Sequence, residues 1–138
     1  MEWKLELIVI PVSDIDRAKS FYLEQAGFDL IVDHSAGVDF RVVQLTPPGS
    51  ACSIAIMKNV EAPGSVKGLH LVVQDIDAAR ADLVHRGTEV SEIYHFESGS
   101  QMPGPDPQRG DYNSFFDFSD PDGNGWLVQE VRNTTMPG

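Results

Sequence analysis

Few side chains in this 138-residue sequence could do chemistry, and their spacing narrows the choice. His70 lies in the run Gly68-Leu69-His70-Leu71-Val72-Val73, where an imidazole could move a proton or hydrogen-bond a ligand. Tyr94, His95 and Tyr112 border a Gly/Pro-rich segment, 97–111, and could close over a bound molecule. Taken singly, each is better read as rim packing of an amphipathic side chain. Cys52 has Ser50 and Ser53 nearby but no sequence-adjacent base, which points to a buried, inert thiol. Asp120, Asp122, Asn124 and Gly125 fit the first positions of an EF-hand loop. The twelfth position is Val131, however, Glu130 misses by one, and a strand-like run follows, so a hairpin turn explains the cluster better. Arg109-Gly110-Asp111 has no receptor to meet in a cytosolic chain, and the sequon Asn133-Thr134-Thr135 is a chance match.

Composition removes whole classes of partner. Ten Lys+Arg against 21 Asp+Glu leave a formal charge of −11, with no basic cluster to follow a phosphate backbone or an anionic bilayer. Nucleic acid and membrane are therefore not expected partners. One cysteine excludes an intrachain disulfide, and no Cys/His spacing signals zinc. The N-terminus lacks a basic start followed by an apolar run, so a cytoplasmic protein is expected.

The elements that must position these groups come as a repeat. Ile10-Pro11-Val12-Ser13-Asp14-Ile15-Asp16-Arg17-Ala18 aligns without gaps to Leu71-Val72-Val73-Gln74-Asp75-Ile76-Asp77-Ala78-Ala79, at an offset of 61. Each copy passes from a Val/Ile/Leu-rich strand to an amphipathic helix. Ser13 with Asp16 reads as an N-cap with a capping-box-like acid, and Gly27 and Gly87 read as helix stops. Strand-like runs come next at 28–33, 40–45 and 53–57, and again at 90–96, 114–118 and 126–131. The expected organisation is one domain over 1–138: a βαβββ module at about 5–58, a linker at 59–67, and a second module at about 68–131. Turn glycines Gly49 and Gly123 stand 74 apart against the repeat's 61, so the second module carries 13 extra residues within 97–111. Its prolines favour an ordered lid.

A duplicated βαβββ unit, the Val-Ser-Asp-Ile-Asp-Arg-Ala entry and the Asp-Pro-Asp-Gly-Asn turn resemble the vicinal oxygen chelate superfamily, which includes glyoxalase I, bleomycin-resistance proteins and extradiol dioxygenases. The likeness spans roughly residues 5–131. It implies an α+β fold whose two modules form a curved, cup-shaped mixed sheet with helices outside, and it implies a homodimer. Family enzymes hold a divalent metal through four side chains, two from each module. Counted from the shared motifs, those positions fall on Leu7, Ser53, Gly68 and Leu127, which offer one hydroxyl. No metal and no other cofactor is therefore expected. A one-residue register slip would substitute Leu69 and Val128; only a slip of two would bring in His70 and Gln129.

Alternation along strands puts His70 on the face of Gly68 and Gln129 on the face of Leu127. The resemblance makes that face the ligand face, with Leu7, Val9, Ser53, Ala55 and Val72 as its surroundings. His70 is then a candidate general base, or else a core histidine satisfied by a backbone carbonyl or by Gln129. Gln129, Leu7, Ser53, Leu127, Tyr94, His95 and Tyr112 are the ligand-binding candidates. The leading expectation is metal-independent binding of a small, partly apolar organic molecule, of the drug- or metabolite-sequestering kind. A metal-free isomerase or lyase using His70, and a divalent-metal glyoxalase- or dioxygenase-like enzyme, are the alternatives.

Overall fold

The computed structural model describes residues 1–132, and their contacts divide them into two compact units. The first holds 1–66 together with Asp120–Asn124; the second holds 67–119 and 125–132. The sequon at Asn133 lies outside the described residues. No helix of the described residues is long and apolar enough to cross a membrane.

The first unit runs β1 (Leu7–Pro11), α1 (Ile15–Ser20) continued by a π-helical turn (Phe21–Gln25), β2 (Asp29–Ala36), β3 (Phe40–Thr46) and β4 (Ser53–Met57). Its sheet has the order β1-β4-β3-β2, with β1 parallel to β4 and the other pairs antiparallel. Ile10, Val43, Leu45, Ile54 and Ile56 share the helix-side face and are buried with Ile15, Ala18, Phe21 and Tyr22 of the helix. The Asp120–Asn124 turn adds a buried polar cluster to this unit. The Tyr22 hydroxyl donates to Asp120 Oδ2 at 2.8 Å, and Asn124 Nδ2 donates to Asp120 and to the Pro11 carbonyl. Gly64, at φ +80°, is required there: a Cβ on it would sit 2.1 Å from the Asp122 carbonyl oxygen.

The second unit runs β5 (Leu69–Val73), α2 (Ile76–His85), β6 (Tyr94–Glu97), β7 (Ser100–Pro103), β8 (Phe115–Ser119) and β9 (Gly125–Glu130). Its order is β5-β9-β8-β6-β7, with β5 parallel to β9 and the rest antiparallel. The chain is thus α+β, two βαβββ modules with one extra strand in the second. Helix-side burial here falls on Leu69, Phe116, Phe118, Trp126 and Val128.

Both helices start alike, but not as the capping box suggested. Asp14 and Asp75 are the N-caps, at φ/ψ of −139°/106° and −140°/105°, accepting from Arg17 N and Ala78 N. Ser13 is drawn away from that role because its N–H and hydroxyl both bind the Asp122 carboxylate. The ordered-lid expectation for 97–111 is also corrected. Alternating Tyr94 to Glu97 turns through Ser98 and Gly99, at φ +49° and +81°, into β7, the two-residue hairpin geometry. The chain beyond β7 is pinned rather than free to close. Asp106 caps the N–H groups of Gln108 and Gly110, and Arg109 binds Glu130 through two nitrogens at 2.9 and 2.5 Å. Glu130 is fully buried and also accepts from the Ile76 N–H at the start of α2. Cys52, expected buried, is half-buried.

Candidate functional site

Strand pairing sorts the second unit's side chains onto two faces. Trp126, Val128, Phe116 and His95 point to the buried side. On the opposite face the ladder aligns Val72 with Gln129, Gln129 with Phe115, and Phe115 with Tyr94; it also aligns His70 with Leu127 and Leu127 with Asp117. Phe96, two residues past Tyr94, joins them. This face is half-buried to exposed throughout, with Phe96 43% exposed.

Three rings form its floor. Tyr94 and Phe115 lie 5.6 Å apart with planes inclined by 30°, while Phe96 stands steeply to both at 87° and 68°. The Tyr94 hydroxyl donates to the Asp117 carboxylate at 3.1 and 3.3 Å. Burial and the adjacent Asp117 charge push the Tyr94 phenol up to about 12, so it remains a neutral donor. Sequence reasoning singled out Tyr94 but missed Phe96, Phe115 and Asp117. The alternations Tyr94-x-Phe96 and Phe115-x-Asp117 were the signal.

His70, Gln129, Leu127 and Tyr94 are therefore brought onto one face. The His70 ring is exposed, and its Nδ1 lies 2.5 Å from the Gly68 carbonyl. A carbonyl only accepts, so Nδ1 carries the proton and Nε2 is left as the basic nitrogen. Gly68 precedes β5 rather than lying in it, at φ +76°, a conformation an L side chain rarely adopts. The residue across from Leu127 is His70 instead. His95 stands apart: it is 3% exposed on the helix-side face, with Nδ1 donating to the Gly104 carbonyl at 2.7 Å. Tyr112 is 59% exposed in the loop after β7, and its N–H donates to the Glu130 carbonyl.

In the first unit Leu7 pairs with Ser53 as counted, and Val9 with Ala55. The Ser53 hydroxyl is already engaged with Thr46 Oγ1 at 2.6 Å. Gln44, Val42 and Val32 continue this face, and at its edge His34, paired with Val42, meets the Phe40 ring at 6.4 Å. A separate concavity of about 460 Å³ opens near the start of α1, walled by Asp14, Asp16, Phe40, Arg41, Met57 and Lys58. None of the sequence-predicted residues lines it, and its Arg41 is held by Asp33 and Asp16.

Three acids elsewhere are committed to structure. Arg109 holds the Glu130 carboxyl below its usual range despite burial. Burial pushes the Asp122 carboxyl up, but Ser13 and Arg17 outweigh it and leave it lowered. Hydrogen bonds from Arg41 and Lys19 hold Asp33 far below the usual carboxylate range. Among the described residues no three His, Cys, Asp or Glu side chains converge in a way that could hold a metal.

Comparison with known proteins agrees with this architecture. A family model described as the Glyoxalase/Bleomycin resistance protein/Dioxygenase superfamily matches residues 4–128. The structure of TnmS3, an antibiotic-binding protein from Streptomyces sp. CB03234, is similar at a TM-score of 0.71 and 34% identity, over 94% of this chain and 96% of that one. A glyoxalase/bleomycin resistance protein from the same strain is similar at 0.70 and 35%, over 92% of this chain and 100% of that one. The uncharacterized protein YetH of Bacillus subtilis (strain 168) is 25% identical over 125 residues, 89% of this chain and 94% of its own.

Proposed function

Because the chain belongs to the glyoxalase/bleomycin resistance protein/dioxygenase superfamily, a family of several chemistries, we propose a function from the site itself: this protein binds a small, partly apolar organic molecule without a metal, as a sequestering protein. The observation that carries this is the open face of the second sheet, where Tyr94, Phe96 and Phe115 form an aromatic floor beside Asp117, Gln129 and His70. A few placed polar groups around apolar and aromatic surface are what small-molecule sites need. The antibiotic-binding relative supports the same reading.

In this reading the four counted positions do not suit the family's metal. Leu7 and Leu127 bring only carbon, Ser53 brings a hydroxyl tied to Thr46, and Gly68 has a backbone suited to glycine. Dialysis against chelator should leave ligand affinity unchanged; tight stoichiometric Zn, Ni, Mn or Fe in the purified protein would restore the metalloenzyme alternative.

The test of binding is a thermal-shift screen with aromatic small molecules, repeated on Phe115→Ala. Compounds that stabilise the parent should lose about tenfold or more in affinity in the variant, since a base- or ring-stacking contact is worth ~1–3 kcal/mol. Unchanged affinities would sink the assignment.

One observation favours a second reading. The His70 tautomer leaves Nε2 as an exposed base on the ligand face, so proton transfer in an isomerase- or lyase-type reaction is the runner-up. His70→Ala separates the two: retained affinity with lost turnover means enzyme, and lost affinity alone means binder. A homodimer belongs to the same proposal. Leu30, Ile31 and Val32 are exposed along edge strand β2, and a second copy would cover them. Light scattering should then give twice the chain mass, with Ile31→Lys reducing it.

A further inference from the structure

Charge on the ligand face points further than binding alone. None of the five strands β5 to β9 contains a lysine or arginine. Tyr94, Phe96, Phe115, Gln129, Leu127, Val72 and Gln101 are uncharged, His70 adds an imidazole, and Asp117 is the one carboxylate among them. Asp117 also differs from the acids that the protein pairs with arginines. Asp33, Asp122 and Glu130 are each met by an arginine, whereas Asp117 is exposed, has no ion pair among the described residues, and takes its side-chain hydrogen bonds from the Tyr94 phenol alone. A phenol donating to a carboxylate becomes more electron-rich, which strengthens the attraction of its ring face for a cation.

Building on the binding function proposed above, we propose that the preferred ligands are planar aromatic molecules carrying a protonated amine. The ring stacks on Tyr94 and Phe115 against the edge of Phe96, and Asp117 supplies the counter-charge that selects the cation. Phosphate- and carboxylate-bearing aromatics are disfavoured, because the face offers them a carboxylate and no lysine or arginine.

Three flat tricyclic probes test this in matched form: proflavine as the cation, acridone as the neutral ring and acridine-9-carboxylate as the anion. Affinities are read by fluorescence titration on the intact protein at low salt. Proflavine should bind about five- to thirtyfold tighter than acridone, and the anion most weakly. Asp117→Asn should bring proflavine down to the level of acridone while leaving acridone unchanged, and added NaCl should weaken proflavine alone. Tyr94→Phe keeps the ring and the carboxylate, and should retain a cation preference even if Asp117→Asn folds poorly. Equal affinity of proflavine and acridone in the parent, or a preference that survives in Asp117→Asn, overturns the charge selection and leaves the binding reading standing. If no probe binds, or if Phe96→Ala and Phe115→Ala leave all affinities unchanged, the aromatic floor itself is wrong and both readings fall.

Discussion

The two units begin alike and diverge where chemistry starts. Each enters through a parallel strand, an aspartate cap with the same dihedrals and a helix ended by a left-handed glycine. Beyond that, the first sheet's open face is aliphatic at its centre, with Ser53 and Thr46 bonded to each other, Gln44 beside them and a lone His34–Phe40 contact toward its edge strand. The second carries three rings, an imidazole, an amide and a carboxylate with no ion pair among the described residues. Duplication of a backbone therefore did not duplicate a site. Caps and stops constrain every copy because they satisfy helix ends, whereas residues facing outward from a sheet vary without cost to the helix-side core.

The sharpest way to break this contrast is to attack what each unit buries. Glu130→Ala removes a fully buried carboxylate, strips Arg109 of both its hydrogen bonds to Glu130 so that only Asp77 and the more distant Asp75 face it, and orphans the Ile76 N–H. It should cost about 3–5 kcal/mol in urea unfolding. Asn124→Ala in the first unit strips partners from the Pro11 carbonyl and the Val66 N–H. A loss of about 2–3 kcal/mol is expected, and a loss equal to that of Glu130→Ala would mean the two clusters are equivalent.

Acid should distinguish the same clusters by sign and size. Glu130 and Asp122 both have lowered folded pKa values, so each contributes stability above the unfolded carboxylate range of roughly 4, lost as pH falls through the folded value. Arg109 is the largest lowering cause at Glu130, whereas Ser13 precedes Arg17 at Asp122. Arg109→Met should therefore destabilise more than Arg17→Met at pH 7, and both penalties should shrink toward pH 3. Denaturant midpoints measured at both pH values decide it. The smallest effect tests the likeness rather than the difference: Asp14→Ala and Asp75→Ala should each cost about 1 kcal/mol, and unequal melting shifts would show that the matching caps are not energetically equal.

Much of the fold was legible because it rests on local chemistry. Strand–helix periodicity, Gly27 and Gly87, and the Asp-Pro-Asp-Gly-Asn turn all act over a few residues. Ser13 misleads as a cap because its partner, Asp122, lies 109 residues away, and distant carboxylates leave no mark on a cap pattern. The segment 97–111 resembles a lid because its glycines and prolines dominate the composition. Ser98-Gly99 instead closes a hairpin whose pairing depends on the neighbouring strand. At the site, His70, Gln129 and Leu127 are found from alternation along single strands. Phe115 and Asp117 are not, because a cross-strand neighbour is set by register.

By itself, then, the sequence determined the repeat, the order and type of the elements, the acidic charge and the absence of metal donors at the counted positions. These follow from spacing and side-chain chemistry within short windows. Tertiary structure decided which residues meet: His70 rather than Gly68 opposite Leu127, His95 buried away from Tyr94, and Asp117 without a cation among the described residues while Asp33, Asp122 and Glu130 each meet an arginine. Each of those outcomes depends on strand register and on partners far along the chain, which only packing brings together.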